Sequence, residues 1–254
     1  MADDAEVGQP RSRSSRGGGI DASATFARCC DLLRRGDPAA NDLLRELERF
    51  PQFAPGWLDL GRALLDAGHA RAALVAFSRA LAADVSMVAA RLGRASALLG
   101  LGQLAAAAAE CELAERDAPA FKTIPYRRGL CLRDAGQPEA ACSAFERAVS
   151  LDPHFAEAWF ALGLARQDAR DKAGAVVAYR AALAAQPNLH EAALNLGIAC
   201  QDLGDLDAAL DAYATALQLR PDSFGRIAQA LISGPTGRLW LDLDRLRRDL
   251  TLRA

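Results

Sequence analysis

The stretch that decides the fold runs from Ala156 to Leu189 and reads AEAWFALGLARQDARDKAGAVVAYRAALAAQPNL. Moved along the chain in steps of 34 residues, it finds itself again. Its Pro187 falls in a column with Pro51, Pro119, Pro153 and Pro221, with Val85 in the remaining slot, so five of the 11 prolines share one position. Its Ala175 aligns with Ala73, Ala107, Ala141 and Ala209, and its Ala182 with Ala80, Ala114, Ala148 and Ala216. Tyr179 lies in a column with Phe77, Cys111, Phe145 and Tyr213. Gly163 lies with Gly61, Gly129 and Gly197, and Ala95 stands in for the missing glycine. The register holds without an insertion, the signature of a stacked repeat architecture.

At Trp159, Leu162, Gly163, Ala175, Tyr179, Ala182 and Pro187 the stretch resembles the tetratricopeptide repeat family, whose unit is a 34-residue helix–turn–helix. Ala54–Met87 resembles it at Trp57, Leu60, Gly61, Gly68, Ala73, Phe77 and Ala80 and lacks only the final proline. Val88–Phe121, Lys122–Phe155 and His190–Ser223 match at half to most positions. Val88–Phe121 departs furthest, with Arg91, Arg94 and Ala95 replacing Trp, Leu and Gly. Pro125 takes the tryptophan column of its copy and predicts a late helix start there. The expected fold is all-α, and the resemblance implies a right-handed superhelical solenoid of such units with terminal capping helices. Residues 1–19 read as a disordered polar tail and 20–53 as a degenerate first repeat. Residues 54–223 hold five units, and 224–254 a capping helix followed by a C-terminal tail helix. The tail helix is expected from Leu243, Leu246 and Leu250, capped by Asp242. Four of the five intra-repeat turns carry a glycine (Gly68, Gly102, Gly136, Gly204), and Arg170 takes the fifth slot.

Composition narrows the function. Among 254 residues, Lys+Arg 30 against Asp+Glu 32 leaves a net charge of −2, which gives no bulk attraction to nucleic acid or anionic membrane. Hydrophobic residues make up 51% and aromatics 6%, a core of Ala and Leu suited to close helix packing. No apolar run is long enough to span a bilayer, and Met1–Ile20 lacks the apolar core of a secretory signal, so a cytoplasmic protein is expected. Cys29, Cys30, Cys111, Cys131, Cys142 and Cys200 form no C-x-x-C pair, and His69, His154 and His190 show no metal-ligand spacing to them. Reduced thiols, no metal and no cofactor are expected. Phosphate-loop, metalloprotease, nucleophile-elbow and dinucleotide motifs are missing, so the chain reads as no enzyme. The short basic clusters, Arg11, Arg13 and Arg16, then Arg245, Arg247 and Arg248, read as a solvated tail and a polar helix face.

The resemblance implies a concave groove lined by the first helices. One column on that face reads Leu58, Leu92, Tyr126, Phe160, Leu194; four residues on, it reads Arg62, Ser96, Leu130, Leu164, Ile198. An apolar strip through the last three repeats follows, and its residues fall outside the interhelical packing columns. Partial burial by superhelical curvature is the competing account. Asp66, Asp134, Asp168 and Asp202 end the first helices, where they oppose the macrodipole, so they are read as an acidic rail for basic ligand side chains. Turn chemistry before the glycine is the alternative. Family members that bind chaperone carboxylates use cationic grooves; Arg62 is an isolated cation here, which disfavours that role. The expected function is a scaffold that binds a protein or peptide partner, with no nucleic acid and no membrane. A self-associating homo-oligomer using the Trp240 tail, or a regulatory subunit of an enzyme encoded elsewhere, are the alternatives.

Overall fold

Each first helix stops for the same local reason. In Ala54–Asp66 the backbone turns left-handed at Gly68 (φ 79°), and two reversed hydrogen bonds close the end, Gly68 N to Leu65 O at 2.9 Å and His69 N to Leu64 O at 2.8 Å. This termination suits glycine, which has no Cβ to clash at positive φ. Gly102, Gly136 and Gly204 repeat it, and Arg170 does so at φ 62° with a side chain attached.

The computed structural model describes residues 21–233 and 243–253. It is all-α. The chain runs α1 (Ala22–Arg34), α2 (Ala40–Leu47), α3 (Ala54–Asp66), α4 (Ala70–Ala83), α5 (Val88–Gly100), α6 (Leu104–Asp117) and α7 (Thr123–Asp134). It continues through α8 (Pro138–Leu151), α9 (Ala156–Asp168), α10 (Lys172–Ala185), α11 (His190–Asp202), α12 (Leu206–Leu219), a 3-10 turn at Pro221–Ser223, α13 (Phe224–Ser233) and α14 (Leu243–Arg253). From α3 to α12 every helix packs on its sequence neighbours, the nearest-neighbour stacking of a solenoid. α7 begins at Thr123 with Pro125 in its first turn, one residue later than the 34-residue grid places it. The tail before Asp21, the Asp242 cap and Trp240 lie outside the described residues.

The recurring columns have distinct physical jobs. A Cβ added to Gly61, Gly129, Gly163 or Gly197 would lie 2.4–2.6 Å from a ring carbon of Phe77, Phe145, Tyr179 or Tyr213. Each aromatic therefore lies against bare backbone of its own repeat, fully buried. Trp57 and Trp159 join a repeat to the connection before it: their indole Nε1 groups donate to Phe50 O and Pro153 O, both at 2.9 Å. The alanine columns are buried throughout.

The C-terminal pair breaks the stacking rule. α14, not α13, packs along α12, burying Leu246 and Leu250. Arg253 ties its end to Asp207 at 3.1 Å and Asp211 at 2.7 Å. α13 rests on α11 and buries Ile227 and Leu231, while Ile232 is half exposed.

Candidate protein-binding groove

The face of the first helices carries the residues read as a groove, and the structure grades them. Leu58, Leu92, Tyr126, Leu130, Phe160, Leu164 and Ile198 are half-buried and lean on the hydrophobic cores. Tyr126 packs between Phe145 and Phe155 with ring centroids 5.9 and 5.0 Å away, and Phe160 lies 5.9 Å from Tyr179. The strip is thus not separate from the packing columns, as its sequence spacing suggested. The side chains are long enough to touch the aromatic column behind them and still show an edge to solvent. Leu194 departs altogether: it is 2% exposed and belongs to the C-terminal core.

In the first two repeats the second column of this face is polar, with Arg62 and Ser96. Arg62 is exposed and pairs with Asp59 at 3.5 Å. Ser96 turns its hydroxyl back to Leu92 O at 3.0 Å and accepts from Arg127 at 3.3 Å. The apolar part is therefore concentrated on α7 and α9, with Tyr126, Leu130, Phe160 and Leu164.

The four aspartates are the last residues of α3, α7, α9 and α11. Asp134 is drawn to Arg133 at 3.7 Å and Asp202 to Lys172 at 3.7 Å. Asp66 and Asp168 are exposed and form no ion pair among the described residues. Burial first, and then the charge of Asp168, pushes the Tyr179 phenol up; burial and Asp202 do the same to Tyr213. Both phenols stay protonated and serve as hydrogen-bond donors. Four of the thiols are kept protonated too: burial pushes Cys29 up to about 11, and Cys30, Cys142 and Cys200 also rise, mainly through burial.

Two groups on this face escaped the sequence reading. Gln167 and Gln201 lie seven residues after Phe160 and Leu194, on the same helical face, and each amide oxygen accepts from the buried tyrosine of its repeat. The signal was present: the column Leu65, Leu99, Arg133, Gln167, Gln201 changes from apolar to polar along the chain. Phe121 was also missed. It occupies the connection before α7 and is 64% exposed, large for an aromatic.

Models of the tetratricopeptide repeat match residues 58–120, 126–188 and 190–223, more than half of the chain. This chain belongs to the tetratricopeptide repeat family. Among solved structures it resembles MamA at 22% identity, with a TM-score of 0.61 over 65% of this chain and 96% of that one. A fragment of MamA, 41-end, from Desulfovibrio magneticus RS-1 resembles it at 20% identity and a TM-score of 0.61, over 66% and 96%. YrrB, described as a TPR protein with an unusual peptide-binding site, does so at 22% identity and a TM-score of 0.60, over 70% and 92%. At these identities the likeness is one of fold. No curated protein matches the sequence. Membership of this family supports a protein–protein interaction scaffold. Among the described residues no helix is long and apolar enough to cross a membrane, and no three His, Cys, Asp or Glu side chains gather as metal ligands do.

Proposed function

We propose that this repeat protein docks a segment of a partner protein on the face of its first helices, centred on α7 and α9. The observation that carries the reading is the conjunction on α9 of half-exposed Phe160 and Leu164 with Asp168, which forms no ion pair among the described residues. Apolar edges that remain in water gain from being covered. An exposed carboxylate at the end of the same helix steers basic side chains and sets orientation more than it adds affinity. Tyr126 and Leu130 extend the contact one repeat towards the N-terminus, and Leu58, Arg62 and Leu92 form its more polar approach. Leu194, being buried, takes no direct part.

The test is capture of a partner from the native lysate, followed by affinity measurements on variants. Phe160→Ala is expected to weaken binding by about 2 kcal/mol or more, as loss of a central aromatic anchor does. Asp168→Asn is expected to lose less, mostly at low ionic strength, because salt screens an exposed charge. A partner whose affinity ignores both substitutions binds elsewhere and overturns the proposal.

A further inference from the structure

Where α6 packs against α7, the joint between two repeats is built from cysteine. Cys111 of α6 stands in the column of Phe77, Phe145 and Tyr179. Cys131 of α7 stands in the column of Ala97, Ala165 and Ala199. Elsewhere each ring shares a buried cluster with the alanine of the next repeat: Phe77 with Ala97, Phe145 with Ala165, Tyr179 with Ala199. At this one joint both members differ, and both are cysteine. The two lie in the central cluster, and neither has surface in contact with solvent.

The two thiols act on each other. A hydrogen bond from Cys111 draws the Cys131 thiol below its ordinary value, against the opposing effect of burial. The same bond, with burial, holds the proton on Cys111 and pushes that thiol up. Arg127 of α7, whose guanidinium donates to Ser96 Oγ at 3.3 Å, adds a positive charge that favours the thiolate at both. One sulfur is thus poised to attack, beside a neighbour with a proton to give up. The remaining cysteines lack this asymmetry. Cys29 and Cys30 are consecutive on α1, where neighbouring side chains do not face each other, and both are raised, as are Cys142 and Cys200.

We propose that Cys111 and Cys131 are an oxidisable dithiol, which hydrogen peroxide converts to a disulfide between α6 and α7 and a thiol reductant restores. The Cys131 thiolate attacks one peroxide oxygen. The O–O bond breaks, the sulfur becomes a sulfenic acid, and the departing hydroxide takes up the proton that Cys131 gave up, leaving as water. The Cys111 sulfur then attacks the sulfenic sulfur. The S–O bond breaks, and the hydroxyl leaves as a second water with the Cys111 proton. Two thiols are oxidised to one disulfide, and one peroxide is reduced to two waters. Because both sulfurs are buried, the oxidant enters when α6 and α7 part locally, as joints of a stacked array do. The cross-link then forbids that opening. It fixes α7, which carries Tyr126 and Leu130, against the repeat before it, whatever the groove binds.

The test exposes the reduced full-length protein to millimolar hydrogen peroxide for several hours under native conditions. Remaining thiols are blocked with N-ethylmaleimide in denaturant, and the chain is digested with trypsin without reduction. Residues 95–116 joined to residues 129–133 are the expected product, lighter by two hydrogens than the separate peptides and parted by dithiothreitol. The linked protein should melt about 5 °C or more above the reduced one, because the cross-link removes freedom from the unfolded chain. Cys131→Ala installs the residue of the neighbouring repeats, so it should fold, form no link and melt at the same temperature with or without peroxide. Recovery of both cysteines as maleimide adducts overturns the inference. So does a sulfinic acid at Cys131 without a link, which would mean that Cys111 does not reach it, or a disulfide from either residue to Cys142 or Cys200 instead. A fall in melting temperature on linking would place the disulfide in an opened form of the joint and also overturns it, as does an equal rise in Cys131→Ala.

Discussion

The repeats Val88–Phe121 and Ala156–Leu189 hold one backbone phase with opposite chemistry. In the later repeat Tyr179 lies on Gly163, and Leu162 and Ala178 complete an apolar joint in which all four residues are buried. In the earlier one Cys111 replaces the aromatic and Ala95 the glycine. Arg94 and Glu110 take the places of Leu162 and Ala178 and meet at 2.6 Å, with Glu110 only 8% exposed. Each departure is matched by its neighbour: where the ring shrinks a Cβ appears, and where a leucine becomes a cation a carboxylate faces it. The phase of a repeat is therefore kept by pairs of residues and not by the consensus at single positions.

The pairing is tested most severely at the ring. Tyr179→Cys should cost about 3–4 kcal/mol, since a buried aromatic leaves a cavity that the stack fills only in part. Gly163→Ala should cost about 1–2 kcal/mol, because its new Cβ meets the Tyr179 ring at 2.4 Å and the clash outweighs the gain in helix propensity. The double variant recreates the Ala95–Cys111 pair and should lose less than the sum of the two by about 1 kcal/mol or more in denaturant unfolding. Strict additivity would mean that the match in the earlier repeat is coincidence.

The ion pair sharpens the comparison from the other side. Glu110→Ala should destabilise by about 2 kcal/mol, because Arg94 is then left half-buried without its carboxylate. Arg94→Leu with Glu110→Ala installs the residues of the later repeat and should return stability to within about 1 kcal/mol of the natural chain, or above it. Arg94 Nε and Glu110 Oε2 are buried without hydrogen-bond partners, which is why an apolar joint competes well. A double variant as unstable as Glu110→Ala would show that the polar joint is integral to this repeat.

The fold was legible because glycine, alanine and proline recur where backbone geometry needs them: small residues at close approaches and glycine at left-handed turns. The site was less so. Spacing placed Phe160 and Leu164 on one face, but a 34-residue column says nothing of depth, and Phe160 turned out to touch Tyr179. Leu194 shares their column and is buried in the C-terminal core, a difference in depth that its column position does not carry. Gln167 and Gln201 carry no consensus at all. Their importance comes from the tyrosine hydroxyl behind them, twelve residues away in sequence.

The smallest effect concerns the one turn in which the regular repeat is worse than the irregular one. Val88–Phe121 turns at Gly102 (φ 73°); Ala156–Leu189 turns at Arg170 (φ 62°), the one non-glycine residue with positive φ among the described residues. A side chain in that region costs roughly 1–2 kcal/mol through contact of Cβ with the following carbonyl. Glycine removes this cost but adds freedom to the unfolded chain, which returns about 0.4–1 kcal/mol. Arg170→Gly should therefore stabilise by about 0.5–1 kcal/mol and raise the melting temperature by roughly 1–3 °C for a chain of this size. The closing hydrogen bonds, Arg170 N to Gln167 O at 2.9 Å and Asp171 N to Arg166 O at 2.7 Å, are backbone bonds and survive the change. The Asp171 carboxylate, which accepts from Gly174 N at 2.9 Å, also keeps its place at the start of α10. Arg170 is exposed, so its aliphatic stem contributes little packing that would be lost. A fall in melting temperature would mean that the arginine side chain contributes contacts worth more than the strain, and that this turn had been selected for its side chain over its backbone.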